Sequence, residues 1–292
     1  MQQFVTTALG GLTLGAVYAA FALALCLIWR STRIVNFAQA AMGMFTTYIA
    51  LMLIEAGYSY WLGFAAALLT GLVMGAVIER VVIRPVEGKS EINAVILTLG
   101  LFIVIQSGAA LIWGSTYQSF PAPFGVRGVQ VGGADLAITG FGIFTVLAVV
   151  VVMVLLTLLF RSTDLGLKMR AAAFNSEVAR LLGVRVSRML TLGWALAAVV
   201  GSLAGLLIGG GTLIHPAYMD SVVVFGFVAA VLGGLESPQG AVVGGLLLGL
   251  TLSFVSGYIG SDLVPLTALL ILVAVLMLRP AGLFSHVAQR RV

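Results

Sequence analysis

The chain has 292 residues, of which 61% are hydrophobic and only 9% are charged, whereas about 25% of the residues of a soluble domain are charged. So few ionic groups cannot cover a water-facing surface, and this composition excludes a soluble globular protein. The formal net charge of +5 does not indicate a nucleic acid partner, because the cations are spread over short loops and form no groove-sized patch.

Nine apolar runs follow one another along the chain, and most of them reach the roughly 20 residues that a helix needs to cross about 30 Å of hydrocarbon. They cover 5–29, 35–55, 60–80, 92–113, 138–160, 189–211, 221–235, 239–258 and 262–279. The run at 221–235 is short and ends in Gly233-Gly234, which is typical of a half-span or a re-entrant element. The sequence therefore predicts an all-α fold, a polytopic membrane helical bundle with about 8–9 transmembrane or re-entrant helices.

The cationic side chains predict how this bundle is oriented. The first run has no cationic segment before it and is too long for a signal-peptide core, so we expect a retained span that starts outside. If all nine runs cross, every cationic loop lies inside except the loop that carries Arg127, as the positive-inside rule requires. We therefore expect the N-terminus outside, the C-terminus in the cytoplasm, an external loop at 114–137 and a cytoplasmic loop at 161–188. A re-entrant seventh run would break this alternation.

Small residues recur four positions apart within the runs, for example at Gly71/Gly75 and Gly245/Gly249. In lipid such pairs allow helix backbones to approach closely, and ordinary bundle packing explains most of them. The halves 1–160 and 189–292 enter the membrane from opposite sides, which suits a possible inverted repeat, although no repeat is visible residue by residue.

Ionisable side chains are absent from the centres of the predicted spans, which argues against coupling to protons or sodium ions. The segment Gly88-Lys89-Ser90 resembles the end of a phosphate-binding P-loop, but Ile83 stands where the motif requires glycine. The single cysteine, Cys26, permits neither an intrachain disulfide nor a cysteine-based metal site. We expect no catalytic residue, no metal and no cofactor bound by this chain, so any driving force must come from a separate subunit.

The loop at 161–188 carries the pattern of a short amphipathic helix. Phe174, Val178, Leu181 and Leu182 share one helical face, and Gly183 suits a left-handed C-cap. A helix of about ten residues is marginal alone in water. Its apolar face must therefore rest on a lipid surface or in the groove of a partner protein, and the pattern alone does not distinguish the two.

Several segments resemble a known family of membrane proteins. They are GLTLGAVYAAFALALCLIWRSTRIVNFAQA, IERVVIRPVEGKSEINAVILTLGLFIVIQ, GLKMRAAAFNSEVARLLGVRVSRMLTLGWALAAVVGSLAG, FVAAVLGGLESPQGAVVGGLLLGL and RPAGLF. Through them the sequence is similar to permease subunits of ABC importers of the branched-chain amino acid (LIV) type. The resemblance covers most of the chain apart from 114–137.

The resemblance implies a single permease domain over 1–292 in the inner membrane of a bacterial cell, with no enzymatic activity of its own. The implied partners are a second related permease subunit, two cytoplasmic ATPase subunits that bind ATP, an external substrate-binding protein and membrane lipid. The loop at 161–188 would be the loop that couples the permease to the ATPase. Six of its residues would form or flank a helix seated in a groove of the ATPase. They are Asn175, Glu177, Ala179, Arg180, Leu182 and Gly183.

The implied solute is a branched-chain or related amino acid, and the same importer class also serves urea, amides or small carboxylates. Three departures from the family pattern leave the solute open. They are Gln39-Ala40 in place of His-Gly, Phe225 in place of a frequent Lys, and Glu236 in place of Gly. Two other classes also stay open, namely a stand-alone small-solute carrier or channel and a membrane anchor that recruits a cytoplasmic protein.

A small zwitterion that crosses such a bundle must exchange water for hydrogen bonds with the protein. The candidates for its pathway are Asn36, Gln39, Thr98, Gln106 and Gly210. Each of them could instead make an interhelical contact, and Asn36 could cap the second helix.

Two further polar or aromatic features lie near the predicted ends of the spans. We expect Glu79 to pair with Arg80 or Arg84 at the level of the headgroups. In the external loop, Tyr117 and Phe120 could dock a binding protein or anchor the loop at the membrane interface.

Overall fold

The computed structural model describes residues 2–86, 91–125, 128–131 and 134–284. Gly88-Lys89-Ser90, Arg127 and the terminal Arg290 and Arg291 lie outside these ranges. The described residues form eleven α-helices, of which nine follow the predicted apolar runs and two lie within the 161–188 loop. They are α1 (Gln2–Thr32), α2 (Gln39–Glu55), α3 (Tyr60–Ile78), α4 (Glu91–Trp113), α5 (Gly140–Ser162), α6 (Asp164–Phe174), α7 (Ser176–Leu181), α8 (Val186–Gly209), α9 (Asp220–Gly233), α10 (Pro238–Tyr258) and α11 (Val264–Leu278).

Seven of the described helices are long and apolar enough to cross a membrane, namely α1, α3, α4, α5, α8, α10 and α11 with the 3₁₀ turn before it. The all-α bundle predicted from composition is thus confirmed. Helices α1 and α8 form its centre, because 83% and 78% of their apolar windows are buried, compared with 6% for α11. The remaining apolar helices, α2 and α9, have 17 and 14 residues.

Two small antiparallel strand pairs add to the predicted all-α fold. β1 (Gln118–Ser119) pairs with β4 (Leu213–Ile214), and β2 (Gly128–Val131) pairs with β3 (Ala134–Thr139). Both lie in connections between long helices, where backbone groups have no helical partner and must be satisfied in another way.

The connections between helices gather at two ends of the bundle. Arg33 after α1 pairs with Glu236 after α9, and Arg84 after α3 bonds the Ser187 carbonyl near the start of α8. We call this end, with the segments 30–38, 79–86, 161–188, 234–237 and 279–284, the basic end. At the opposite end, called the strand end, β1 joins the loop after α4 to the loop after α8. The nine apolar helices therefore alternate in direction.

The short helix α9 runs from within the bundle to the basic end. Its 14 residues extend about 21 Å. Asp220, its first residue, accepts a hydrogen bond from Gln106, which lies seven residues, or about 10 Å, before the end of α4 at Trp113. α9 therefore begins inside the bundle, and the segment 210–219 supplies the missing depth. Through this segment and α9 the chain passes from the strand end to the basic end, as the predicted alternation requires.

The helices pack as an inverted repeat. α1 packs on α10 as α8 packs on α3, and α2 packs on α3 as α9 packs on α10. In addition, α2 contacts α4 and α8, while α9 contacts α11 and α1. Exchanging α1–α4 with α8–α11 leaves this pattern unchanged, although the two sets begin at opposite ends of the bundle. This is the arrangement of transporter folds with inverted topology.

Glycine allows the backbones in these central contacts to meet. A Cβ atom on Gly249 would lie 2.2 Å from the Gly15 Cα, and one on Gly75 would lie 2.6 Å from the Trp194 carbonyl oxygen. Both distances are far below van der Waals contact. The small-residue pairs therefore serve ordinary bundle packing, in which dispersion and weak CH···O contacts replace a hydrophobic driving force.

Candidate pathway and coupling surface

The loop at 161–188 forms two helices, so the single amphipathic helix predicted through Phe174 is wrong. Phe174 ends α6, and Asn175 leaves the helical region with φ −152° and ψ 102°. The Asn175 side chain then accepts hydrogen bonds from the backbone N–H groups of Glu177 and Val178, at 3.1 and 3.0 Å. An asparagine side chain that competes with the backbone in this way favours a helix start over a helix interior.

The C-terminal end of α7 has the predicted left-handed cap. Gly183 adopts φ +80°, a conformation that glycine reaches without strain from a Cβ atom. The Gly183 N–H donates to the Arg180 carbonyl, and the Val184 N–H donates to the Ala179 carbonyl. These two bonds form a Schellman motif, so α7 is a six-residue helix closed at both ends.

α7 is attached by one side and exposed on the other. Ala179 is 2% exposed and belongs to a small apolar cluster with Ala172, Val186 and Leu190. Phe174, Leu181 and Leu182, by contrast, are 95%, 87% and 76% exposed, and Glu177 and Arg180 are also exposed. Of the six predicted coupling residues, three hold α7 in place and three face outward. The outward residues border an apolar surface at the basic end that the described part of the chain leaves uncovered.

Asn36 and Gln39 lie together at the break between α1 and α2. Both are fully buried, and the Asn36 Nδ2 donates to the Gln39 Oε1 at 3.1 Å. The Gln39 Nε2 donates to the Ala197 carbonyl at 2.8 Å, eleven residues or about 16 Å from the start of α8. The Asn36 Oδ1 accepts from the Ala38 N–H at 3.1 Å, so Asn36 caps the turn that leads into α2.

Thr98 joins this first group of pathway candidates. Its hydroxyl donates to the Val35 carbonyl at 3.3 Å and to the carbonyl of Val95 in its own helix at 3.0 Å. Thr98 is fully buried. The structure therefore brings Asn36, Gln39 and Thr98 together around one interruption of the helical backbone.

Gln106 and Gly210 lie apart from that group, toward the strand end. The Gln106 Nε2 donates to the Asp220 Oδ1 at 2.9 Å and to the Pro216 carbonyl at 3.2 Å. Gly210 lies under Phe141, whose Cζ would be 2.4 Å from a Cβ atom at that position. The five candidates thus divide between the breaks before α2 and before α9.

A further polar contact joins α2, α8 and the segment before α9, and it involves none of the predicted site residues. The Tyr218 hydroxyl donates to the Thr47 Oγ1 at 2.9 Å and lies 3.1 Å from the Gly205 carbonyl. Thr47 is fully buried and Tyr218 is 8% exposed. The sequence signals for this contact were two separate residues, namely Thr47 within an apolar run and Tyr218 just before a short one. In the structure, the Tyr218 and Thr47 hydroxyls therefore form hydrogen bonds with other groups of the chain.

The external-loop aromatics have separate roles. Phe120 is 5% exposed and packs edge-on against Tyr60 at 6.1 Å, so it anchors the loop to the bundle. Tyr117 is 68% exposed and lies over His215, with ring centroids 4.7 Å apart. Between 119–125 and 210–213 the loop borders a cavity of about 640 Å³ at the strand end.

Metal ligands are not grouped in the described part of the chain. Within those residues, no three His, Cys, Asp or Glu side chains lie close enough together to hold a metal ion. The Cys26 thiol, fully buried, donates to the Leu235 carbonyl at 2.8 Å.

These features define a multi-pass helical membrane protein whose two sets of helices have inverted topology. Residues 7–279 match the family described as the permease component of the branched-chain amino acid transport system. The chain belongs to this family, and it is a permease component of ABC-type transport rather than an enzyme.

Individual relatives match over nearly the whole chain. The high-affinity branched-chain amino acid transport system permease protein LivH of Salmonella typhimurium is 29% identical, over 97% of this chain and 96% of its own length. The corresponding protein BraD of Pseudomonas aeruginosa is 30% identical, over 98% and 96%. Among solved structures, PsaBC from Streptococcus pneumoniae in complex with a Fab aligns with 96% of this chain and 91% of its own, at TM-score 0.49 and 16% identity.

Proposed function

We propose that this chain is the transmembrane subunit of an ATP-driven importer for branched-chain or related amino acids. It pairs with a second related permease, stands on two cytoplasmic ATPase subunits and receives its solute from an external binding protein. The strand end faces outward and the basic end lies in the cytoplasm of a bacterial cell. Family membership and the similarity to the branched-chain amino acid permeases LivH and BraD support the solute class.

The exposed face of α7 is the observation that carries this proposal. A six-residue helix is too short to be stable alone, yet here both ends are capped and Ala179 is buried. Leu181 and Leu182 nevertheless expose most of their apolar surface. An interface with a soluble partner buries such residues at its centre and leaves charged groups such as Glu177 and Arg180 at its rim.

The connections of α7 would carry motion into the bundle. α7 packs on α6 and α8, and α8 is in contact with α1, α2 and α3. Closure of the ATPase pair on binding ATP would therefore displace the start of the central helix α8. The rigid helix would carry this movement to Ala197, about 16 Å along its axis, where Gln39 is bonded. Switching access from one membrane side to the other by such a rigid-body movement is a known transport device.

Leu182→Asp and Arg180→Glu test the coupling role directly. We expect Leu182→Asp to lower ATP-dependent uptake by the reconstituted complex about tenfold or more, because a hot-spot contact at the centre of an interface is worth about 2 kcal/mol or more. Arg180→Glu reverses a charge at the rim and should lower uptake less strongly. Binding of the ATPase to the purified permease should weaken in parallel. Ile259→Asp, at an equally exposed apolar residue of the strand end, is the control and should leave both unchanged.

Unimpaired uptake with Leu182→Asp would contradict the coupling role. Insertion of the variant into the membrane, checked by its yield in the membrane fraction, must match that of the unmodified chain. Uptake by the purified chain alone in liposomes would instead establish a stand-alone carrier or channel.

We also propose that Asn36, Gln39, Thr98, Gln106 and Gly210 line the solute pathway. Their position at two backbone breaks supports this, since discontinuous helices expose polar backbone groups near the middle of a transporter. Gln39→Leu should lower uptake while ATP hydrolysis continues. A titration of the binding protein across branched-chain amino acids, amides and small carboxylates would identify the solute.

A further inference from the structure

A second cavity lies at the basic end, away from the candidate pathway. It has a volume of about 380 Å³ and opens between α1, α5 and α10. Three arginines line it, namely Arg30 at the end of α1, Arg161 at the end of α5 and Arg170 on α6. Most of the remaining wall is apolar, so the cavity has a positively charged opening and an apolar interior.

The positive charge at the mouth is not compensated within the described chain. Among the residues that the structure describes, none of the three arginines forms an ion pair with a carboxylate. The one carboxylate in the lining, Glu236, is paired with Arg33. The first residues of α10, Pro238 and Gln239, also border the cavity. The N-terminus of this 21-residue helix carries partial positive charge.

The apolar wall extends well below the arginines. On α5 it reaches from Arg161 to Met153, and on α1 from Arg30 to Leu23, which correspond to about 12 and 10 Å along the two helix axes. The Arg30 guanidinium lies 5.6 Å from the centroid of Phe160, at the boundary between the two zones. The cavity therefore suits an occupant that is anionic at one end and apolar over several methylene groups.

We propose that this cavity binds an anionic phospholipid from the leaflet at the basic end, with its phosphate at the arginines and an acyl chain along α1 and α5. Arginine forks match the geometry of phosphate oxygens, and basic pockets between transmembrane helices on the cytoplasmic side commonly hold lipid headgroups. Inorganic phosphate would leave the apolar wall without an occupant. A zwitterionic lipid would leave the excess charge uncompensated. The proposal is independent of the solute and of the ATPase.

The test uses the full-length chain in mild detergent, with bound lipid measured by native mass spectrometry. We expect phosphatidylglycerol to be retained in preference to phosphatidylcholine with the same acyl chains. Arg30→Gln combined with Arg170→Gln should lower this retention about tenfold or more, since each arginine near a lipid surface contributes about fivefold. Arg180→Gln combined with Arg188→Gln removes the same charge outside the cavity and should change retention less than twofold.

Further arms separate the lipid from a free anion and from a folding defect. Millimolar inorganic phosphate should not displace the lipid, and Thr157→Phe, which fills the apolar wall, should reduce lipid retention. Arg30→Lys combined with Arg170→Lys keeps the charge and should preserve the preference for phosphatidylglycerol. Displacement by phosphate, equal retention of both lipids, or an equal loss in the control variant would each overturn the proposal.

Discussion

Glu79 is the most deeply buried acidic residue among those that the structure describes, with 1% of its side chain exposed. Its carboxylate accepts hydrogen bonds from the Arg84 Nη2 at 2.8 Å and from the Thr191 hydroxyl at 2.7 Å. Arg84 also donates to the Ser187 carbonyl at 3.2 Å. This cluster joins the end of α3 to the first turns of α8, beside the loop that carries α7.

Removing Arg84 should therefore destabilise the chain. In Arg84→Ala the buried carboxylate of Glu79 loses its countercharge, which costs about 3–5 kcal/mol for a fully buried ion pair. Because Arg84 is partly exposed, we expect the free energy of unfolding to fall by a little less, about 2–4 kcal/mol. Thermal or chemical denaturation of the two purified proteins in mild detergent measures the difference in the free energy of unfolding.

Arg80→Ala is the matched control for that measurement. Arg80 lies four residues away but is exposed, so its removal should change stability by less than about 0.5 kcal/mol. Adding Glu79→Gln to Arg84→Ala should recover part of the loss, because the uncompensated charge is then gone. Equal effects of Arg80→Ala and Arg84→Ala would contradict the role of the cluster.

Some residue roles could be predicted from the sequence because their causes are local. The cap at Gly183 depends on the conformational freedom of glycine at the end of a short helix, and the structure has φ +80° there. The start of α7 at Asn175 also has a local cause, but a regular spacing of Phe174, Val178 and Leu181 obscured it. Tyr218 was missed because its partner Thr47 is 171 positions distant.

At the level of helices, close backbone contact at glycine sets the stability of the two central pairs. Gly249→Ala places a methyl group against the backbone of Gly15, at 2.2 Å from its Cα, and α1 and α10 must separate to admit it. We expect stability in detergent to fall by about 1–3 kcal/mol, the usual cost of overpacking.

Gly100→Ala provides the control for this contact. Gly100 also lies within an apolar helix, but a Cβ atom there would have no heavy atom within 4 Å. Its substitution should be neutral or slightly stabilising, as expected for alanine in place of glycine in a helix. A comparable loss in both variants would show that the cost does not come from the contact with Gly15.

The nine apolar helices could be located from the sequence, since each follows an apolar run bounded by turn residues or charges. Their packing could not. The inverted repeat is a relation between contacts, such as α1 with α10 and α8 with α3, and different side chains fill the equivalent places. The depth at which α9 starts likewise depends on the contact of Asp220 with Gln106, which no local pattern encodes.

On the scale of the whole molecule, the alternation of nine apolar helices gives a prediction about sidedness. In a Cys26→Ser background, we expect Tyr58→Cys and Thr212→Cys at the strand end to react with a membrane-impermeant thiol reagent in intact cells. Ser176→Cys and Gln239→Cys at the basic end should react only after permeabilisation, because the positive-inside rule retains the cationic loops in the cytoplasm.

The pair Thr212 and Gln239 is the sharpest part of this experiment. The two positions are separated along the chain by α9, the shortest of the apolar helices. Labelling of Gln239→Cys in intact cells would mean that α9 returns to the side from which it came, and would refute the topology. Labelling of Ser176→Cys in intact cells would show that the orientation is the reverse of the proposed one. A cytoplasmic ATPase could then not bind α7.

The glycine contacts also restrict how such a molecule can change shape. Where α10 meets α1 at Gly15 and Gly249, and α3 meets α8 at Gly75, backbone faces backbone and no rotamer can adjust to sliding. Each pair must then travel as one rigid body. Any rocking between inward-open and outward-open forms has to occur along contacts made by side chains, such as the contact between α2 and α4, where Phe45 and Tyr48 pack against Trp113.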